Sequence, residues 1–339
     1  MLEHGGNLRD AVARYGRPLA DWVDLSTGIN PDFYPVPALS NNAWHRLPEI
    51  SDALNAAALA YYQAPALLAV AGSQAAIQAL PRLRAASRVV VSAPSYAEHA
   101  HQWRQAGHQV SECPFSELAQ QLAECDVMVI CQPNNPTGAW IAPAELLQWA
   151  QHLHQRGGWL IVDEAFGDTF PEISLAAHTE HAQQAGLIVL RSVGKFFGLA
   201  GLRLGFVTAA PELLTRLADW LGPWAVSGPA QEVALRALSD LEWQQQTRAR
   251  LRLQGQRLRE LLQAQQLASS GTDLFQWVSA QDLQGQTEAL WEWLAQRGIW
   301  TRYFAPGPQR PHGIRFGLPA SEAAWQRLEL ALQEWKIQG

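Results

Sequence analysis

Short runs of continuous apolar and β-branched residues punctuate the middle of the chain, at 88–92 (RVVVS), 127–131 (VMVIC), 160–163 (LIVD), 187–192 (LIVLRS) and 204–208 (LGFVT). Runs without polar alternation, bounded by Gly, Pro and Asn, predict strands buried on both faces, and the helical patterns between them predict crossover connections. The expected core is a mostly parallel α/β sheet. An earlier run at 67–71 leads into Gly72-Ser73-Gln74 and a helix. After Pro229 one long helical pattern rich in Gln, Arg and Leu runs to about Leu267. Strand-like segments follow at 274–279, 299–303 and 313–317, with helical stretches between the first two and at the end, which reads as a smaller α+β domain. The expected division is an N-terminal arm with part of the small domain over 1–48, a large domain over 49–228 and a small C-terminal domain over 229–339.

Composition narrows the partners. With 48% apolar and 17% charged residues over 339 positions, the chain has the makings of a large buried core. Its 25 Lys and Arg against 31 Asp and Glu give a net charge of −6, which argues against a nucleic-acid-coating surface and for a small-molecule partner. Cys113, Cys125 and Cys131 have neither metal-ligand spacing nor an even count, so they are expected to be reduced core thiols, with no metal site. Charged residues are scattered through 1–22 and no stretch approaches a membrane span, so a cytoplasmic protein without a signal peptide or membrane partner is expected.

In an open α/β sheet, ligands bind beyond the carboxyl ends of the strands. The run 127–131 ends in the turn-forming Gln132-Pro133-Asn134-Asn135-Pro136-Thr137-Gly138, and 160–163 ends in Asp163, followed by Glu164-Ala165-Phe166. The run 187–192 leads through Ser192 to Lys195 and Arg203. Singly, these are a turn, a helix cap and a solvated lysine. Together, in this order, they resemble the fold-type I pyridoxal-phosphate enzymes of the class I/II aminotransferase group, from about Asp24 to Arg315.

That resemblance implies a cofactor, pyridoxal 5'-phosphate, bound by the large domain, and a homodimer. The cofactor needs an amine for its aldehyde, an acid for its pyridine nitrogen and a cradle for its phosphate. By resemblance Lys195 is the amine, Asp163 the acid, and Asn135 a donor to the ring's phenolic oxygen. Gly72, Ser73 and Gln74 at a helix start, with Ser192 and Arg203, are the implied phosphate contacts, and Tyr96 the aromatic ring against the pyridine face. Two positions depart from the pattern: Phe166 replaces the usual tyrosine, and Leu47 in Arg46-Leu47-Pro48 replaces a tyrosine that reaches across the dimer.

On the substrate side, Arg315 matches the arginine for an α-carboxylate, and Arg302 an arginine for a substrate phosphate. His4-Gly5-Gly6-Asn7 and the segment 24–31 (DLSTGINP), with Gly28, Ile29 and Asn30, resemble the threonine-phosphate decarboxylases of cobalamin biosynthesis, as do Phe166 and 168–172. The Gly-Gly step beside His4 suits an arm that offers donors to an anion. The implied reaction is decarboxylation of O-phospho-L-threonine to (R)-1-aminopropan-2-yl phosphate. A histidinol-phosphate-type aminotransferase is the second reading, and a pyridoxal-phosphate fold that binds without catalysis the third. The residues leave decarboxylation and transamination both open.

Overall fold

Valine and isoleucine dominate the central runs because a strand covered on both faces has no solvent side to make polar. The computed structural model describes residues 5–179, 185–307 and 312–338. Along the chain the strands are β1 (Val23–Leu25), β2 (Leu68–Val70), β3 (Arg88–Ala93), β4 (Gln109–Pro114), β5 (Val127–Cys131), β6 (Trp159–Asp163), β7 (Leu187–Ser192), β8 (Gly205–Thr208), β9 (Ser270–Thr272), β10 (Phe275–Ser279), β11 (Ile299–Phe304) and β12 (Gly313–Gly317).

The larger unit comprises residues 33–134 and 140–246. Its seven-stranded sheet has the order β2-β8-β7-β6-β5-β3-β4. From β4 to β7 every pairing is parallel, and only β8 runs against its neighbours β7 and β2. The mostly parallel α/β sheet expected from the sequence is therefore present. Val89, Val91, Val127, Val129, Ile161, Ile188 and Leu190 point to one face and pack with Ile77, Leu80, Trp103 and Leu217. Met128, Ile130, Leu160 and Val162, which alternate with them, are buried too. Strand β4 escapes the sequence pattern because it is an edge strand whose residues are mostly exposed or half-buried.

The smaller unit comprises residues 1–32, 135–139 and 247–339. Its sheet has the order β1-β11-β12-β10-β9, with β1 parallel to β11 and the rest antiparallel. The three-residue strands β1 and β9 are too short for a periodicity to register. Ala11 of the helix Leu8–Tyr15, Trp22 and Ala295 form a small core, and Trp22 meets Trp300 of β11 edge to face at 5.8 Å.

The units divide at other points than 48 and 228. Residues 33–48 belong with the larger unit because the helix Asn41–His45 packs on the helix Gly228–Ser239, where a Cβ on Gly228 would stand 3.0 Å from the Cα of Ala43. The helix Gly228–Ser239 also packs on the helix Asp52–Tyr62, which carries the larger unit on to Gln246. The single helix expected to run to Leu267 is two, Gly228–Ser239 and Leu241–Ala264. Between them Asp240 leaves helical geometry at φ −90° and ψ 80°, and its Oδ1 accepts from Trp243 N–H at 3.0 Å. A short acid that satisfies an orphan amide restarts the helix there. Among the described residues no helix is long and apolar enough to cross a membrane.

Replacing Asp240 removes that cap. Asp240→Ala is expected to cost about 0.5–2 kcal/mol, read as a lower denaturation midpoint, with Asp240→Asn close to wild type. An unchanged midpoint in the alanine variant would show that the break between the helices does not depend on the carboxylate.

Candidate active site

In the larger unit, the parallel register brings strand ends level. Cys131 stands opposite Asp163 and Asp163 opposite Leu190, with Ser192 just beyond on β7. On the other side of β5, Val91 pairs with Val129, so the chain leaving β3 carries Ser95 and Tyr96 to the same edge. Ser95 Oγ donates to Cys131 Sγ at 3.0 Å, and Tyr96 Oη donates to Gln74 Oε1 at 3.1 Å. Gln74 Nε2 in turn donates to Glu98 Oε2 at 2.9 Å. Burial, reinforced by the Glu98 and Asp163 carboxylates, raises the Tyr96 phenol well above its ordinary value and keeps it protonated.

Asp163 is 6% exposed, and its Oδ2 lies 2.9 Å from Nε2 of His99, which is 2% exposed. The other oxygen, Oδ1, accepts from Ala165 N–H at 3.0 Å. Burial pushes the His99 imidazole down, but the Cys131 sulfur and the hydrogen bond to Asp163 outweigh it and raise it to about 10. His99, Cys131 and Asp163 bring three possible metal-ligand atoms within 4.8 Å, although His99 and Asp163 are already paired there with each other.

Because β8 is antiparallel, Gly205 at its start pairs with both Ser192 of β7 and Val70 of β2. The turn after β2 is thereby set beside the end of β7. A Cβ on Gly205 would stand 2.7 Å from Ser73 N, and one on Gly72 would stand 2.6 Å from Arg203 Nη2. Gly72 also adopts φ 73°, in the left-handed region that favours glycine. Lys195, on the turn after β7, is half-buried with Nζ 5.5 Å from the centroid of the Phe166 ring.

The smaller unit gathers a second set. Arg315 on β12 is 6% exposed; its Nη1 donates to Asn135 Oδ1 at 2.6 Å and its Nη2 to the Ser26 carbonyl at 2.7 Å. Its Nε is buried without a hydrogen-bond partner among the described residues. Burial, and then the Arg302 cation, press the Arg315 guanidinium below its usual range. The two arginines are direct cross-strand partners on β11 and β12. Gly28 is buried and Ile29 half-buried on the loop after β1, and Asn30 Oδ1 accepts from Asp32 N–H at 3.0 Å. His4 lies outside the described residues.

The sequence pattern of the aminotransferase class I and II family matches residues 20–324. The chain belongs to that family. A threonine-phosphate decarboxylase of Pseudomonas aeruginosa is 53% identical over 99% of this chain and 98% of its own length. A histidinol-phosphate aminotransferase of Baumannia cicadellinicola is more distant, 30% identical over 64% of this chain and 63% of its own. Among solved structures, the histidinol-phosphate aminotransferase of Sinorhizobium meliloti, in complex with pyridoxal-5'-phosphate, shares the fold with a TM-score of 0.82 at 20% identity, covering 99% of this chain and 96% of that one.

Three groups at this family member's candidate site were not singled out from the sequence. His99 carried one signal, its place in the first turn of a helix just after Tyr96, but its partner is 64 residues away. Cys131, read only as a core thiol, is buried and unpaired by disulfide, and it stands at the strand end beside Asp163. Ser26, inside the segment 24–31, supplies the carbonyl that holds Arg315.

His99 gains its carboxylate on folding, which raises its pKa. Its contribution to stability is therefore full below the ordinary value of 6.5 and lost as pH rises through about 10. Denaturation midpoints of the cofactor-free protein are expected to fall across that window, and to do so less steeply in His99→Asn. Equal slopes would assign the titration to another group.

Proposed function

We propose that this protein is a pyridoxal 5'-phosphate-dependent decarboxylase that converts O-phospho-L-threonine to (R)-1-aminopropan-2-yl phosphate in cobalamin biosynthesis. The observation that carries the substrate class is the arginine pair. Arg315 is a buried guanidinium with an unused N–H set directly opposite a like charge, a cost that a bound anion would offset. A substrate with a carboxylate and a phosphate supplies one anion to each. The relative 53% identical to this chain carries the name of that activity.

The chemistry of the donor set fits the cofactor. Asp163, with the His99 cation at its back, suits a protonated pyridine nitrogen. Gly72, too close to Arg203 to carry a side chain, forms with Ser73, Gln74, Ser192 and Arg203 the cradle for the phosphate. Tyr96 is the ring for the pyridine face, Asn135 the donor to the phenolic oxygen, and Lys195 the amine for the aldehyde. When bound, the cofactor supplies an electron-accepting ring for the pair released as carbon dioxide departs.

Within that frame each side chain has a task. Arg315, its fork aligned by Asn135 and Ser26, binds the substrate carboxylate, and Arg302 binds the phosphate. Gly28, Ile29, Asn30 and the His4 arm complete the substrate side. Asp163 would face the pyridine nitrogen, its carboxylate oriented by the hydrogen bond to His99. Lys195 Nζ would be the group that returns a proton to Cα. The same reading makes the protein a cytoplasmic homodimer. Leu47, 66% exposed beside a groove lined by Asn42, Pro48, Ser51 and Gln231, offers the second copy an apolar side chain where a tyrosine would offer a hydroxyl.

Incubated with O-phospho-L-threonine, the cofactor-loaded protein is expected to release carbon dioxide in step with 1-aminopropan-2-yl phosphate and to form no 2-oxo acid. Formation of a 2-oxo acid without carbon dioxide would make it an aminotransferase.

The arginines are expected to divide the two anions. Loss of a charge-assisted contact worth about 1.5–3 kcal/mol should raise the Michaelis constant about tenfold or more in either variant. Arg302→Ala is expected to discriminate less between phosphothreonine and threonine, whereas Arg315→Ala weakens both alike. Full preference for the phosphorylated substrate in Arg302→Ala would move the phosphate elsewhere.

A further inference from the structure

We propose that Gly5, Gly6 and Ser26 act as a positioning device that ties the seating of the N-terminal segment to the orientation of Arg315. The proposal rests on the reading of Arg315 as the carboxylate-binding residue, and adds a way in which the segment affects the substrate without touching it.

Ser26 is 1% exposed, and its polar groups serve three partners. Its N–H and its Oγ donate to Asp24 Oδ1 at 2.8 and 2.6 Å. Its Oγ accepts from Gly6 N–H at 2.7 Å. Its carbonyl accepts from Arg315 Nη2 at 2.7 Å. A hydroxyl that donates to a carboxylate is polarised into a better acceptor, so the Asp24 contact strengthens the hold on Gly6.

Two adjacent glycines are needed here for different reasons. The backbone of Gly5 lies so close to Ser26 that a Cβ would overlap the carbonyl oxygen, the same atom that Arg315 uses. Gly6 adopts φ 84°, which a side chain disfavours. A bulge at Gly5 therefore presses on one of the two acceptors that align the guanidinium, Asn135 Oδ1 being the other. A planar fork binds a carboxylate well only when both N–H vectors are aimed. Tilting it weakens carboxylate binding and leaves the phosphate contact alone.

The experiment compares wild type, Gly5→Ala and Ser26→Ala, each loaded with cofactor. Binding of O-phospho-L-threonine is set against binding of 1-aminopropan-2-yl phosphate, which keeps the amine and phosphate but has no carboxylate. Both variants are expected to bind phosphothreonine about tenfold more weakly and the carboxylate-free ligand within about twofold of wild type. Equal losses for the two ligands would overturn the proposal and place the segment on the phosphate. A second readout needs no substrate: phenylglyoxal modification of Arg315, followed by peptide mass spectrometry, is expected to be severalfold faster in both variants. Unchanged modification rates would overturn the positioning of Arg315. A wild-type protein that binds neither ligand overturns the proposed substrate, and the modification rates then decide the positioning on their own.

Discussion

A carboxylate buried at the end of a strand must have a cation beside it, and the larger unit is organised around meeting that demand twice. Asp163 and Glu164 are consecutive and both buried. Asp163 finds His99, while Glu164 finds Arg191 of β7, which also binds Asp168. Glu164 is further satisfied by Ser174 Oγ at 2.6 Å and Leu175 N–H at 2.7 Å. Removing one partner of such a pair leaves an uncompensated buried charge, at a cost of about 3–5 kcal/mol. Arg191 immediately precedes Ser192, so the ion pairs that hold the loop after β6 also pin the strand that leads to Lys195. Asp163 and Lys195 thus both lie on segments that the buried Arg191 ion pairs hold in place.

Much of the sheet was legible in the sequence because strands buried on both faces announce themselves. The runs 127–131, 187–192 and 313–317 coincide with β5, β7 and β12 to the residue. Once the strands of a parallel sheet are in register, Asp163 and Ser192 have to meet at one edge, and the antiparallel β8 sets the turn at Gly72 beside them. His99 was not legible because its role is created by that register, which places the end of β3 level with the ends of β5 and β6. Nothing in the local pattern of 96–105 distinguishes an imidazole paired with a distant carboxylate from one that fills a helix face.

The helix break at Asp240 was missed for a different reason. The apolar spacing on its two sides is compatible with one continuous helix, and only the acid's non-helical backbone and its bond to Trp243 interrupt it. A single capping residue carries too little signal to outweigh a long periodic stretch, although in the folded chain it decides where one helix stops and the next begins.

The two units treat buried charge in opposite ways, and the difference separates architecture from recognition. In the larger unit His99 and Arg191 each have carboxylates within hydrogen-bond reach. In the smaller unit Arg315 is as buried as Asp163, yet its hydrogen-bond acceptors are an amide oxygen and a backbone carbonyl, the Asp24 carboxylate acts on it only through space, and its cross-strand neighbour is another arginine. Neutral acceptors hold a guanidinium in place without neutralising it, so its charge remains available to an incoming anion. Local rules of charge pairing are relaxed where a ligand is expected to complete them, and under the proposed function Arg315, held by neutral acceptors opposite the half-buried Arg302, keeps its charge for the carboxylate of a doubly anionic substrate.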